Sequence, residues 1–214
     1  MKRFGSTIML AIITLLFTIA VKTINLGPIG PQGSVVGFSA VNSAVFGFFG
    51  SNLIWDEITN VIMLAVFSCG VVFAIMGLVQ LIQRKKILKV DWEILMLGVT
   101  YTLLGLIYVV FEKVAINNRP ILVEGELAAS FPSSHMMMVA TVGITVMLVL
   151  PKYVENKIWY TALRVMLAVA VMVMIAGRLL SGMHWATDIV AGVLYSVTLV
   201  SLYTNLCKLK KGLK

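Results

Sequence analysis

The chain has 214 residues, of which 60% are hydrophobic and only 12% charged, with a mean hydropathy of +1.00. A soluble domain of this size cannot bury that much apolar surface, so lipid must solvate most of it. The formal net charge of +8 does not point to nucleic acid, because the basic residues cluster between apolar runs, where loop charge sets membrane orientation.

Six apolar runs follow in chain order, at 5–22, 57–82, 92–112, 134–150, 158–177 and 185–206. About 20 apolar residues in a helix cross a hydrocarbon core of ~30 Å. The first run begins after Lys2 and Arg3 in the manner of a signal peptide, but no small-x-small cleavage site precedes Lys22, and it reads as an uncleaved span. The stretch from Asn25 to Trp55 opens with the helix breakers Gly27, Pro28, Gly30, Pro31 and Gly33. A seventh span at 34–50 would throw the Arg84, Lys85 and Lys86 cluster outward, against the positive-inside tendency. An interfacial or re-entrant segment between spans 1 and 2 fits better.

Six spans with the N-terminus inside put Lys2, Arg3, Arg84, Lys85, Lys86, Lys89, Lys152, Lys157, Lys208, Lys210, Lys211 and Lys214 on the cytoplasmic side, 12 of the 17 basic residues. Arg164 lies within the fifth span, and Lys22, Lys113, Arg119 and Arg178 remain outside. The expected fold is therefore an all-α, six-span bundle with one interfacial or re-entrant element, forming a single domain over residues 1–214. Asp56 and Glu57 read as caps of the second span, acting through the helix dipole. Asn117 and Asn118 read as turn formers, and Glu124 and Glu126 as a solvated loop. The Met136-Met137-Met138 run reads as packing, Cys69 and Cys207 likewise, and the four tryptophans as an interfacial belt.

The two histidines of the chain, His135 and His184, each stand where a span meets the outer surface. His184 opens the sixth span, Arg178 ends the fifth, and Asp188 follows His184 at i+4, on the same helical face. A carboxylate accepting from one ring nitrogen fixes the tautomer and leaves the other nitrogen free to attack. His135 closes Phe131-Pro132-Ser133-Ser134-His135, where a helix start offers unpaired N–H groups and hydroxyls to an anion. Lys113 to Pro120 closes the third span and carries Arg119. Arginine's planar fork suits phosphate and lysine adds a point charge. Ionisable groups at membrane depth are costly and persist mainly for function, and cations with two imidazoles suit phosphoryl transfer without a metal.

These three segments resemble the signature of the type 2 phosphatidic acid phosphatase family, which also holds vanadium haloperoxidases and bacterial acid phosphatases. Its pattern is Lys, six residues, Arg-Pro; then Pro-Ser-Gly-His; then Ser-Arg, five residues, His, three residues, Asp. The third motif matches at Arg178, His184 and Asp188, and the second at Pro132, Ser133 and His135. Ser134 stands where the family has Gly, and Gly177 where it has Ser. Five residues separate Lys113 from Arg119, and Glu112 holds the expected lysine position. One residue is about 100° of helix rotation, which turns Lys113 off that face unless the helix unwinds near Asn117.

The resemblance, over roughly residues 90–200, implies an integral membrane lipid phosphatase that acts on a phosphate monoester or pyrophosphate of a lipid. His184 would attack phosphorus to form a phosphohistidine, with Asp188 holding its ring and His135 as general acid. Arg178, Arg119, Lys113, Ser133 and Ser134 would bind the phosphate. It implies no metal and no cofactor, a membrane lipid as partner, and a pocket facing the extracytoplasmic side of the cell membrane. Two alternatives stay open: a lipid phosphotransferase using the same pocket, and a non-catalytic transporter or structural membrane protein.

Overall fold

The computed structural model describes residues 4–211, with side chains as far as Leu209. Lys2, Arg3 and Lys214, counted above as loop charge, lie outside the described residues, as do the side chains of Lys210 and Lys211. Among the described residues seven α-helices follow in order: α1 (Gly5–Thr23), α2 (Ser39–Phe49), α3 (Leu53–Arg84), α4 (Trp92–Lys113), α5 (Ser134–Val149), α6 (Lys157–Leu180) and α7 (Ala186–Lys211). All but α2 are long and apolar enough to cross a membrane, so this is a multi-pass membrane protein. No strand forms among the described residues, only isolated bridges between loop segments.

At 11 residues, α2 is about 16 Å long and cannot cross ~30 Å of hydrocarbon. It is the short element between spans 1 and 2, expected as interfacial or re-entrant, and it does not add a seventh span. Its Phe48 is 82% exposed, while Asn42 is fully buried.

Helix starts follow side-chain capping. Asn52 accepts from the Ile54 N–H at 3.0 Å to begin α3, and Asn156 accepts from Ile158 and Trp159 to begin α6. The expected start of the second span at residue 57 is thus late by a turn, because Leu53 to Asp56 extend the helix ahead of the apolar run.

Helix α5 is buried all round, by α3, α4, α6 and α7, and supplies Met136, Met137, Val139, Val142, Val146 and Val149 to the core. The other spans turn broad apolar faces outward, as lipid permits. Among them α1 differs: its buried positions are Thr7, Thr14, Thr18 and Val21. Thr7 bonds Ser201 at 2.8 Å, Thr14 bonds Thr198 at 3.0 Å, and Thr18 bonds the Tyr195 hydroxyl at 3.1 Å. Lipid gives apolar faces little reason to associate, so this hydroxyl ladder, at ~0.6 kcal/mol per bond, holds α1 on α7.

The spans alternate in direction, so the starts of α3, α5 and α7 share one end of the bundle with the ends of α4 and α6. That site end also carries α2. The opposite, far end holds the basic segments Arg84–Lys89 and Lys152–Lys157 and the start of α1 beside the end of α7, where Asn205 donates to Thr7 at 2.9 Å. There Asp91 joins α3, α4 and the turn after α5, taking bonds from Gln80 (3.1 Å), Arg84 (2.9 Å) and Tyr153 (2.8 Å).

Candidate functional site

His184 sits in the short connection between α6 and α7, where Gly182 adopts a φ of +67°. A Cβ at Gly182 would come within 2.5 Å of the Ser51 Cβ, so both the turn and the close approach require glycine. The His184 ring is 3% exposed, and its Nδ1 lies 2.9 Å from the Ser130 carbonyl oxygen. A carbonyl only accepts, so Nδ1 carries the hydrogen and Nε2 keeps its lone pair. That Nε2 is buried and has no partner among the described residues.

The ring is therefore oriented by a backbone carbonyl and not, as its i+4 spacing suggested, by Asp188. The Asp188 Oδ2 is 3.9 Å from His184 Nδ1, beyond hydrogen-bond reach. It accepts instead from the Trp185 N–H at 3.0 Å, while Oδ1 accepts from Asn117 Nδ2 at 3.1 Å. A carboxylate at the third residue of a helix reaching back to the cap N–H is half of a capping box. Asp188 thus fixes the start of α7, and its charge stays close to the ring. Burial pushes the His184 pKa well below its usual 6.5, and the charges of Arg178 and Arg119 push the same way. The imidazole is neutral at neutral pH.

The capping Ser133 is fully buried, with its Oγ unpartnered, and begins α5. Two residues on, His135 places Nε2 at 2.8 Å from Asn60 Oδ1 on α3, and leaves Nδ1 buried without a partner. Both rings line one cavity of about 180 Å³, together with Arg119, Ser130, Ser134, Phe111 and Glu112. Arg119 enters it from the loop after α4, where its N–H bonds Ala128 and its Nε donates to the Ala129 carbonyl at 3.4 Å.

Arg178 is fully buried near the end of α6. Its Nη1 donates to Asp56 Oδ1 at 2.5 Å and to Thr59 Oγ1 at 3.0 Å. Nε and Nη2, which form the other edge of the guanidinium, have no partner among the described residues. Asp56, read from the sequence as a cap, is therefore an ion-pair partner that leaves one two-pronged edge of Arg178 available to an oxyanion.

Gly177, where the family has Ser, has a physical reason. A Cβ there would meet Thr59 Cγ2 at 2.5 Å and Trp55 at 3.2 Å, so glycine lets α6 close onto α3 and brings Arg178 to Asp56 and Thr59.

The structure does not bring Lys113 to this cavity. It ends α4, is exposed, and Glu112 takes the wall position one residue earlier. His184, His135, Arg119 and Ser134 line the cavity, while Ser133, Asp188 and Arg178 are fully buried and do not line it.

Sequence reasoning missed Asn60, the Asp56 pair and Asn42, and it read Asn117 only as a turn former. Asn42 donates to Thr187 Oγ1 at 2.9 Å and accepts from the Thr187 N–H at 3.2 Å, bracing the start of α7. The available signal was Thr59-Asn60 inside an apolar span, four residues after Asp56. Among the described residues, no group of three or more His, Cys, Asp or Glu is arranged to hold a metal ion.

A second, apolar cavity of about 240 Å³ lies between α3, α4 and α5. It shares Tyr108, Ser134 and Met137 with the first and continues along Gly70, Ala74, Tyr101, Leu104 and Gly105.

The family model of the PAP2 superfamily matches residues 93–210. No curated protein matches the chain. Among solved structures, the chain is similar to a transmembrane PAP2-type phosphatidylglycerolphosphate phosphatase from Bacillus subtilis. The two share 17% identity and a TM-score of 0.64, over 97% of each chain. At that identity the likeness is one of fold.

Proposed function

The chain belongs to the PAP2 superfamily, and from that premise we propose that it is an integral membrane lipid phosphatase working through a phosphohistidine without a metal. One observation carries the reading. Two imidazoles on one cavity wall each keep a buried ring nitrogen with no partner among the described residues, His184 Nε2 and His135 Nδ1, and Arg178, whose charge reaches both rings, keeps an open Nε/Nη2 edge.

His184 Nε2 attacks phosphorus while the neutral ring is held by Ser130. His135 gives its proton to the leaving oxygen, then takes one from the water that releases phosphate. Covalent catalysis replaces one difficult displacement by two easier ones, and proton transfer contributes ~10²–10⁴-fold. Arg178 and Arg119 carry the charge that develops on the phosphoryl oxygens, helped by Ser133 and by the first N–H groups of α5, which include Ser134. Asp188 holds the α7 start and the charge behind the nucleophile.

A polar cavity that shares Tyr108, Ser134 and Met137 with an apolar one supports a lipid substrate, whose headgroup enters while its tails stay between α3, α4 and α5. The substrate class is a lipid phosphate or pyrophosphate: phosphatidic acid, phosphatidylglycerol phosphate or a polyprenyl pyrophosphate. The basic far end is assigned to the cytoplasm, with both termini, and the site to the extracytoplasmic side of the cell membrane.

The test is phosphate release from that panel by detergent-purified protein with EDTA present. Wild type is expected to hydrolyse at least one lipid, with His184→Ala and His135→Ala near background. Release at the same rate by wild type and His184→Ala, or strict dependence on magnesium, overturns the proposal.

A further inference from the structure

Nothing in the three sequence motifs accounts for Asn60, which stands in the membrane-spanning helix α3 and touches the ring of His135. Its amide bridges two groups. Oδ1 is 2.8 Å from His135 Nε2, and Nδ2 is 3.5 Å from Asp56 Oδ2. Asp56 and Asn60 are one helical turn apart and share a face. The amide has one workable orientation. Turned over, its oxygen would face the Asp56 carboxylate and its NH₂ would face Nε2. As placed, the carboxylate accepts from the NH₂, and the amide oxygen can only accept from the ring. His135 Nε2 therefore carries a hydrogen in both protonation states, and Nδ1 is the nitrogen that gains and loses the working proton.

We propose that Asn60 is a positioning residue for the reaction. Anchored by Asp56, it holds His135 with Nδ1 toward the leaving oxygen and favours the imidazolium needed to protonate it. This rests on the assignment of His135 as general acid. In that step the bond from His184 Nε2 to phosphorus forms and the bond from phosphorus to the ester oxygen breaks. The Nδ1 proton moves to that oxygen, giving a free alcohol and a neutral His135. The same Asp56 binds Arg178 through its other oxygen, so one carboxylate on α3 sets both the acid and the phosphate-binding arginine.

The test uses the dependence of kcat/KM on the leaving group, since kcat/KM reports events only as far as departure of the alcohol. An alkyl ester needs its oxygen protonated, whereas a p-nitrophenolate leaves without help. With a short-chain phosphatidic acid and p-nitrophenyl phosphate as probes, Asn60→Leu is expected to lower the alkyl-to-aryl ratio of kcat/KM about 10²-fold. His135→Ala is expected to lower it at least as far, and Asn60→Gln, which keeps an amide oxygen for Nε2–H and an NH₂ for Asp56, to recover most of it.

A His135→Ala enzyme with an unchanged ratio overturns the general-acid assignment itself. If His135→Ala is selective but Asn60→Leu lowers both substrates by the same factor, or neither, the positioning role is overturned and Asn60 is only a helix–helix contact. Should Asn60→Leu not fold, Asn60→Ala, which also lacks the acceptor, replaces it and is read by the same criterion.

Discussion

Two polar clusters stand at opposite ends of the same bundle, and they are built to different ends. At the far end Asp91 uses both carboxylate oxygens, bonded by Arg84, Gln80 and Tyr153, with Lys152 at 3.8 Å and bonded in turn to Glu93. Its burial works against the charge, but these hydrogen bonds and the Lys152 charge outweigh it and hold the carboxyl at about 2. At the site end, His184 Nε2, His135 Nδ1, Arg178 Nε and Nη2 and Ser133 Oγ are all buried, with no partner among the described residues. A buried polar atom without a partner costs about 1–3 kcal/mol, so five together are poor architecture unless a ligand satisfies them. The far cluster is a staple between helices; the site cluster is complementary to something that is not protein.

That contrast can be broken at several points. His184→Ala removes the nucleophile, and lipid-phosphate hydrolysis is expected to fall to background in a phosphate-release assay. Arg178→Lys keeps the charge but loses the fork. Its Nζ cannot serve Asp56 and two phosphoryl oxygens together, and kcat is expected to fall ~10²–10³-fold with the protein still folded. A substitution at Asp91 with that effect on kcat, at equal folded fraction, would erase the distinction between the two ends.

The pH profile sharpens it further. The His184 pKa lies below 6.5, so the attacking neutral ring persists to lower pH than a free imidazole, and the acid limb of kcat/KM is expected below pH 6.5. Arg119→Met removes one of the depressing charges and should move that limb upward. For stability, a depressed histidine is fully favourable above its unfolded pKa, and that contribution is lost as pH falls below 6.5 toward the folded value. Asp91 behaves as a depressed carboxylate: its contribution is complete above about 3.9 and is lost as pH falls through about 2.

Tyr153→Phe deletes one bond to that carboxylate. About 1 kcal/mol of stability is expected to go, read from thermal unfolding in detergent, with kcat of the folded protein preserved. The smallest effect belongs to Lys113→Ala, which should stay within about 2-fold of wild-type activity, since an exposed charge outside the cavity is screened by solvent. A loss as large as that of Arg178→Lys would place Lys113 in the pocket after all.

Much of this molecule was legible in the sequence, for reasons of solvent. Lipid demands about 20 apolar residues per span, so α1 and α3 to α7 are written in the hydropathy, and loop charge set the α2 stretch apart, because a seventh span would throw Arg84, Lys85 and Lys86 outward. The chemistry was legible too, because a polar residue at membrane depth needs a purpose: His135, His184, Arg119 and Arg178 all gather at one end. What tertiary structure decided was the partner of each group. Spacing offered Asp188 to His184, yet a carbonyl 54 residues away in the chain, that of Ser130, took the ring, and Asp188 turned to the α7 start. Asp56 looked like a cap until α6 arrived with Arg178, and that arrival needed Gly177. Periodicity records which face a residue occupies along its own helix; only the packing of α3 against α5 and α6 brings Asp56, Asn60 and Thr59 to the residues they serve.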